Sequence, residues 1–167
     1  VETGQLDGGA NASATNNVAI LEDIIWIKPM NVGTASAKDE STITMHAIGR
    51  LPITSATGET IRIGCYYSPD IDGTIISPQA MAIEYKERFY GWMHYCNTDS
   101  KSGYVRFCNR QGRQPFSLGI WSENNLWYHA VGTSNNNTST TQNKQIVNNQ
   151  QTTSHSINKI NRAAEYE

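Results

Sequence analysis

The chain has 167 residues, 38% of them hydrophobic and 17% charged, which suits one domain with a real core and is too short for two lobes. A formal net charge of -2, with 13 Lys and Arg residues, argues against a nucleic-acid partner. No apolar run approaches membrane-spanning length, so the expectation is no direct nucleic acid and no membrane.

The N-terminus lacks the basic, apolar and small-residue order of a signal peptide, and a start at Val1 reads as a piece processed from something longer. The first stretch with a chemical message is QLDGGANASATNN, residues 5–17. Asp7 follows an apolar residue and precedes Gly8 and Gly9, which have no Cβ and so allow positive φ or close approach by another chain or a ligand. A tight turn presenting the carboxylate outward is expected there.

Downstream, short runs rich in Ile, Val, Tyr and Trp alternate with Gly, Pro, Asn, Asp and Ser, the rhythm of an all-β, mainly antiparallel chain. The clearest are AILEDIIWI (19–27), STITMHAIGRLPI (41–53), TIRIGCYYS (60–68) and TIISPQAMAI (74–83). TSATGET between the second and third reads as a hairpin connection with Gly58 at the position needing positive φ, and PDIDG (69–73) reads as another turn. Ser77 as N-cap and Pro78 at the first helical position predict one short helix from Pro78 toward Tyr85.

A second cluster, GWMHYCN, GYVRFCN, PFSLGIW and LWYHAV, predicts a β-meander packed on the first and sharing its core. Beyond Val131 the composition turns to Asn, Thr, Gln and Ser, with too little apolar surface to offset the entropy cost of ordering, so a disordered linker is expected. The organisation read from the sequence is therefore a core over 1–90, a meander extension over 91–131 and a linker over 132–167.

Three cysteines, Cys65, Cys96 and Cys108, are an odd number for a disulfide framework and suit reduced thiols in the cytoplasm. His94, Cys96 and Cys108 lack the spacing of a CxxC or HxxxH pair, so neither metal nor cofactor is expected. The sequons at Asn11 and Asn136 carry little without a secretory signal. Gly8-Gly9 is no phosphate cradle, and His46, His94, His129 and His155 stand near no nucleophile elbow.

An isolated Asp-Gly is usually a plain surface turn. Here an Asp after an apolar strand end is followed by small residues, a polar loop, a run of strands and an apolar pair ahead of a short helix. That is the order of parts in half of an aspartic protease. Hydrolysis by carboxylates needs two of them sharing a proton, one as base on water and one as acid to the carbonyl oxygen. The chain offers one good candidate, so the second Asp7 comes from a second copy across a twofold axis. Asp72 in DIDGT weighs less, because no strand-loop pattern follows it to form another lobe.

At this point the sequence resembles the retropepsin-like aspartic proteases of copia-type retrotransposons, in a variant similar to that of microalgal elements. LDGGANASATNN is similar to the family's Leu-Asp-Ser-Gly-Ala-Ser segment. AIGRLPITSATGETIRIGCYYSPDIDGTIISPQAM resembles its strand, hairpin, strand, turn and apolar pair. SGYVRFCNRQGRQPFSLGIWSENNLWYHAV resembles the β segment that follows. The resemblance covers roughly residues 5–131 and implies a half-barrel acid-protease fold with a β extension.

It further implies a homodimeric endopeptidase that processes its own polyprotein in the cytoplasm or within virus-like particles, best at acidic to mildly acidic pH. Asp7 would be catalytic, and Gly9 and Ala10 would line the substrate cleft. Gly8 would stand where Thr or Ser usually makes a hydrogen bond across the dimer axis, and Ile75 and Ile76 would support the loop from beneath. A flap hairpin between Asn31 and Gly49 would carry Lys38, Asp39 and Glu40 at its tip. Gly8 cannot make the cross-axis bond, which implies a looser dimer, and Ser77 stands where many members have glycine. Six residues precede Asp7, fewer than the family's N-terminal and interface strands, so those strands lie outside this chain or the later β cluster replaces them. The family's next segment opens with a zinc-binding motif, and RAAEYE stops where that would begin. The competing reading is a catalytically inactive protease-like β domain serving as a dimerisation or spacer module.

Overall fold

The computed structural model describes residues 2–33, 42–99 and 101–132. Within them ten strands and one short α-helix run in the order β1 (Glu2–Leu6), β2 (Ser13–Thr15), β3 (Glu22–Gly33), β4 (Thr42–Thr54), β5 (Thr60–Tyr67), β6 (Thr74–Ile76), α1 (Pro78–Glu84), β7 (Gly91–Cys96), β8 (Ser102–Cys108), β9 (Phe116–Glu123) and β10 (Leu126–Val131). The described residues are mainly β, in one open mixed sheet of order β3-β4-β5-β2-β6-β1-β10-β9-β8-β7.

Local chemistry explains most element boundaries. In β5 the alternation buries Ile61, Ile63 and Cys65 while Thr60 and Arg62 face water, the period-2 pattern of a half-buried strand. β4 and β5 form a regular antiparallel ribbon from Ala47↔Tyr67 to Thr54↔Thr60, closed by a turn in which Gly58 takes φ +89. The predicted helix forms over Pro78–Glu84: the Ser77 hydroxyl accepts from the Ala80 amide at 3.0 Å, and Pro78 takes a position whose N–H has no intrahelical partner.

The strand expected at 19–27 begins later, at Glu22. Asn17 caps a 3-10 turn over Val18–Ile20, its side chain accepting from the Ala19 amide at 3.1 Å, so Ala19 and Ile20 leave the extended conformation. Asp23 then takes φ 49 at a register irregularity between Glu22 and Ile25. Ile25 and Trp26 on this edge strand are well exposed.

Three short strands depart from hairpin connectivity. β6 lies between β1 and β2, parallel to β1 (Gly4↔Thr74, Gln5↔Ile75, Leu6↔Ile76) and antiparallel to β2 (Ala14↔Ile75, Thr15↔Thr74). β10 flanks β1 on its other side, Glu2↔Val131 through Gln5↔Tyr128, joining the β7–β10 meander to the same sheet.

One large core cluster runs through both regions. Leu51, Ile53, Ile63, Ile76 and Met81 meet Phe89, Val105, Phe107, Phe116, Leu118 and Val131. Phe89, just after α1, sits 5.1 Å from Phe107 and 5.9 Å from Phe116 between ring centroids, and burying each such ring contributes roughly 1.5–3 kcal/mol. At the helix C-terminus, Glu84 accepts from the Gly64 amide at 2.8 Å and pairs with Arg50 at 2.5 Å, fixing α1 across the β4–β5 ribbon. A smaller cluster of Ala14, Met45 and Ile71 lies near β2.

Cys65, Cys96 and Cys108 are free thiols. No helix among the described residues is long and apolar enough to cross a membrane.

Candidate active site

The Asp7 loop is built from both ends. On the N-terminal side the β1–β6 ladder continues one step past Leu6, because the Asp7 amide donates to the Ile76 carbonyl at 3.0 Å. Immediately afterward the chain turns on itself: the Asp7 carboxylate accepts from the Gly9 amide at 2.8 Å, and the Ala10 amide donates to the Asp7 carbonyl at 3.3 Å. The first is a local turn of the kind Asp forms readily with the amide two residues on. It occupies Oδ1 and leaves Oδ2 without a hydrogen bond among the described residues. Asp7 is half-buried, while Gly8 and Gly9 are exposed.

Positive φ, which these glycines allow, is taken by neither of them. The positive-φ glycines are Gly58, Gly73, Gly112 and Gly132, and neither Gly8 nor Gly9 is among them. Space is the constraint instead: a Cβ on Gly8 would stand 3.0 Å from the Cη2 atom of Trp92.

Ser77 closes the far side of the loop. Its hydroxyl donates to the Ala10 carbonyl at 2.5 Å while accepting from the Ala80 amide, and its own amide donates to the Ser13 hydroxyl at 3.0 Å. One fully buried side chain therefore caps α1 and ties that helix to the Asp7 loop. Beside it the Thr15 and Thr74 hydroxyls, both buried, share a 2.7 Å hydrogen bond across β2 and β6.

Of the other residues singled out in the sequence, Ile76 is fully buried in the main core and Ile75 is half-buried between the Gln5 and Ala14 register positions. Asp72 is exposed in the turn leading to β6, where Gly73 takes φ +79. The hairpin expected as a flap falls on β3 and β4, paired as far as Gly33↔Thr42, whereas Lys38, Asp39 and Glu40 lie outside the described residues, as do residues 133–167 of the expected linker. His94 Nε2 lies 3.6 Å from Cys96 Sγ, but Cys96 pairs with Gly103 and Cys108 with Gly91, so the two thiols stand at opposite ends of the β7–β8 hairpin.

Sequence reasoning missed two contributors, Ser13 and Trp92. Ser13 lies 64 residues from Ser77, and nothing in its neighbourhood marks it apart from its place in the polar loop. Trp92 carries an ordinary strand signal; only the packing of β7 brings its ring to Gly8.

No protein-family model matches the chain, and no significant match emerges among curated proteins or solved structures. The chemistry of the site thus rests on its geometry: a half-buried carboxylate on a short loop, held by backbone and hydroxyl hydrogen bonds and open on one oxygen. One such group can act as base or as acid, but not as both on the same substrate at once.

Proposed function

We propose that this chain is an aspartic endopeptidase of the retropepsin-like kind found in copia-type retrotransposons, acting as a homodimer on peptide segments of its own polyprotein. In this reading each subunit contributes Asp7. The two carboxylates share one proton, the ionised one drawing a proton from the attacking water and the protonated one donating to the scissile carbonyl oxygen. Gly9 and Ala10 line the cleft, the β3–β4 hairpin closes over substrate, and the place of action is the cytoplasm or the interior of virus-like particles.

The observation that carries the reading is the seat of Asp7. The residue leaves the end of β1 with its amide held by Ile76, and β6 is clasped between β1 and β2 just ahead of a helix whose cap, Ser77, holds the loop. A structural turn at a strand end needs none of these long-range ties. β10, from the later β cluster, pairs with β1, which supports a reading in which that cluster flanks the strand leading into Asp7.

The test is cleavage of a polyprotein-derived peptide at mildly acidic pH. Asp7→Asn is expected to abolish it while the protein stays folded, a statyl-type transition-state mimic is expected to block it, and specific activity should rise with protein concentration as subunits pair. Cleavage retained in Asp7→Asn rejects the reading. A folded chain with no Asp7-dependent proteolysis at any pH or concentration supports the inactive dimerisation or spacer module instead.

A further inference from the structure

Among the described residues, Trp92 is the side chain that a Cβ on Gly8 would meet, and it comes from the meander rather than from the elements that carry Asp7. Its ring reaches Gly8 through Cη2, with Cζ2 next nearest at 3.6 Å from the position a Cβ would take. The other end of the residue is firmly rooted. Trp92 stands opposite the fully buried Phe107 on β8 and packs on the main core cluster. The Asp7 loop is thus supported on three sides: Ile76 at its start, Ser77 at its end and an indole edge at its middle.

We infer that Trp92 is a positioning residue that clamps the Asp7 loop from within its own subunit, and that Gly8 is glycine because the indole occupies the space of a side chain there. The inference rests on the endopeptidase reading for its catalytic consequence, but not for the clamp itself. With the clamp in place, the loop is ordered before any partner arrives, so pairing of subunits has only to bring two prepared carboxylates together. A flat, rigid ring with two side-chain torsions suits this task, since little freedom is lost in holding it.

The clamp is tested on the full chain by amide hydrogen exchange. Trp92→Ala should speed exchange at Gly9 and Ala10, whose amides close the loop onto Asp7, by roughly tenfold or more, while β4–β5 amides keep their protection. Trp92→Phe should restore most of it. In cleavage assays Trp92→Ala should lower kcat by roughly 10- to 100-fold with little change in KM, since a misplaced acid harms the reacting step more than binding. Gly8→Ser should be harmful in the native background and much less so with Trp92→Ala, a coupling that distant, independent sites do not show. Should Trp92→Ala fail to fold, Gly8→Ala in the native chain decides: displacement of the Trp92 indole N–H resonance supports the clamp, and an unmoved resonance with unchanged loop exchange overturns it. Unchanged Gly9 and Ala10 exchange in a folded Trp92→Ala protein, or additive Gly8 and Trp92 effects, also overturn it. If the unmodified chain cleaves nothing, the endopeptidase reading fails while the exchange result still decides the clamp.

Discussion

The amide of Asp7 and the carbonyl of Ile76 are joined at 3.0 Å, so the candidate acid is fastened to the one strand that β1 and β2 enclose. Ile76 serves twice, through its backbone for the loop and through a fully buried side chain for the core. Ile76→Ala should therefore destabilise the protein by about 2–5 kcal/mol, the range for a large aliphatic core truncation. The half-buried Ile75 should cost clearly less when truncated. Denaturant midpoints of the two variants check the order, and equal losses would contradict the packing described.

Ser77 makes three hydrogen bonds from a fully buried position. Ser77→Ala retains the amide bond to Ser13 but removes the helix cap and leaves the Ala10 carbonyl without its donor. The expected loss is about 1–3 kcal/mol, from a cap plus an unsatisfied, partly buried carbonyl. Loop disorder should lower peptide cleavage further than the stability change explains. Ser77→Thr, which keeps the hydroxyl, should recover much of the loss. Thermal melts and cleavage rates measured on the same preparations test both parts.

His129 sets an acid limit on the fold. It lies buried on β10 opposite Gly4 of β1, with Nδ1 2.8 Å from the Gly119 carbonyl and Nε2 without a hydrogen-bond partner among the described residues. Burial holds its pKa below the ordinary 6.5, opposed by the Gly119 and Thr54 carbonyls, and no charged side chain contributes. The unfolded chain therefore takes up this proton at a higher pH than the folded one does. The contribution to stability is complete above about pH 6.5 and is lost as pH falls toward the lowered folded value. Denaturant midpoints should decline from about pH 7 to about pH 5, and His129→Leu should flatten that slope while costing about 1 kcal/mol at neutral pH through the lost Gly119 contact. An unchanged slope in His129→Leu would contradict this.

Thiol reactivity should separate the cysteines. Cys65 is fully buried in β5, and burial pushes its thiol up to about 12. Cys96 is exposed on β7, its pKa raised less by partial desolvation. Because the thiolate is the reactive form, Cys96 should label with an alkylating reagent under native conditions while Cys65 labels only after unfolding. Peptide mapping by mass spectrometry gives the order directly; early labelling of Cys65 would contradict its burial.

Much of the fold is legible along the chain because its causes are short-range. Ile61, Ile63 and Cys65 announce their strand by alternation, Gly58 marks its turn, and Ser77-Pro78 starts the helix. The same holds for the turn in which Asp7 receives the Gly9 amide, an interaction spanning two residues. The late start of β3 was not legible, since the cap made by Asn17 competes with an apolar run that reads equally well as strand.

The composition and order of residues thus decided the β character, the one short α-helix among the described residues and the presence of a lone Asp on a small-residue turn, all consequences of backbone preference and solvent partition within a few residues. Only the folded chain decided that β6 enters between β1 and β2, that Ser13 meets Ser77, and that Trp92 stands over Gly8. Those contacts join segments far apart along the chain, and which of them form depends on how buried surfaces fit together in three dimensions, information that no local pattern of residue types contains.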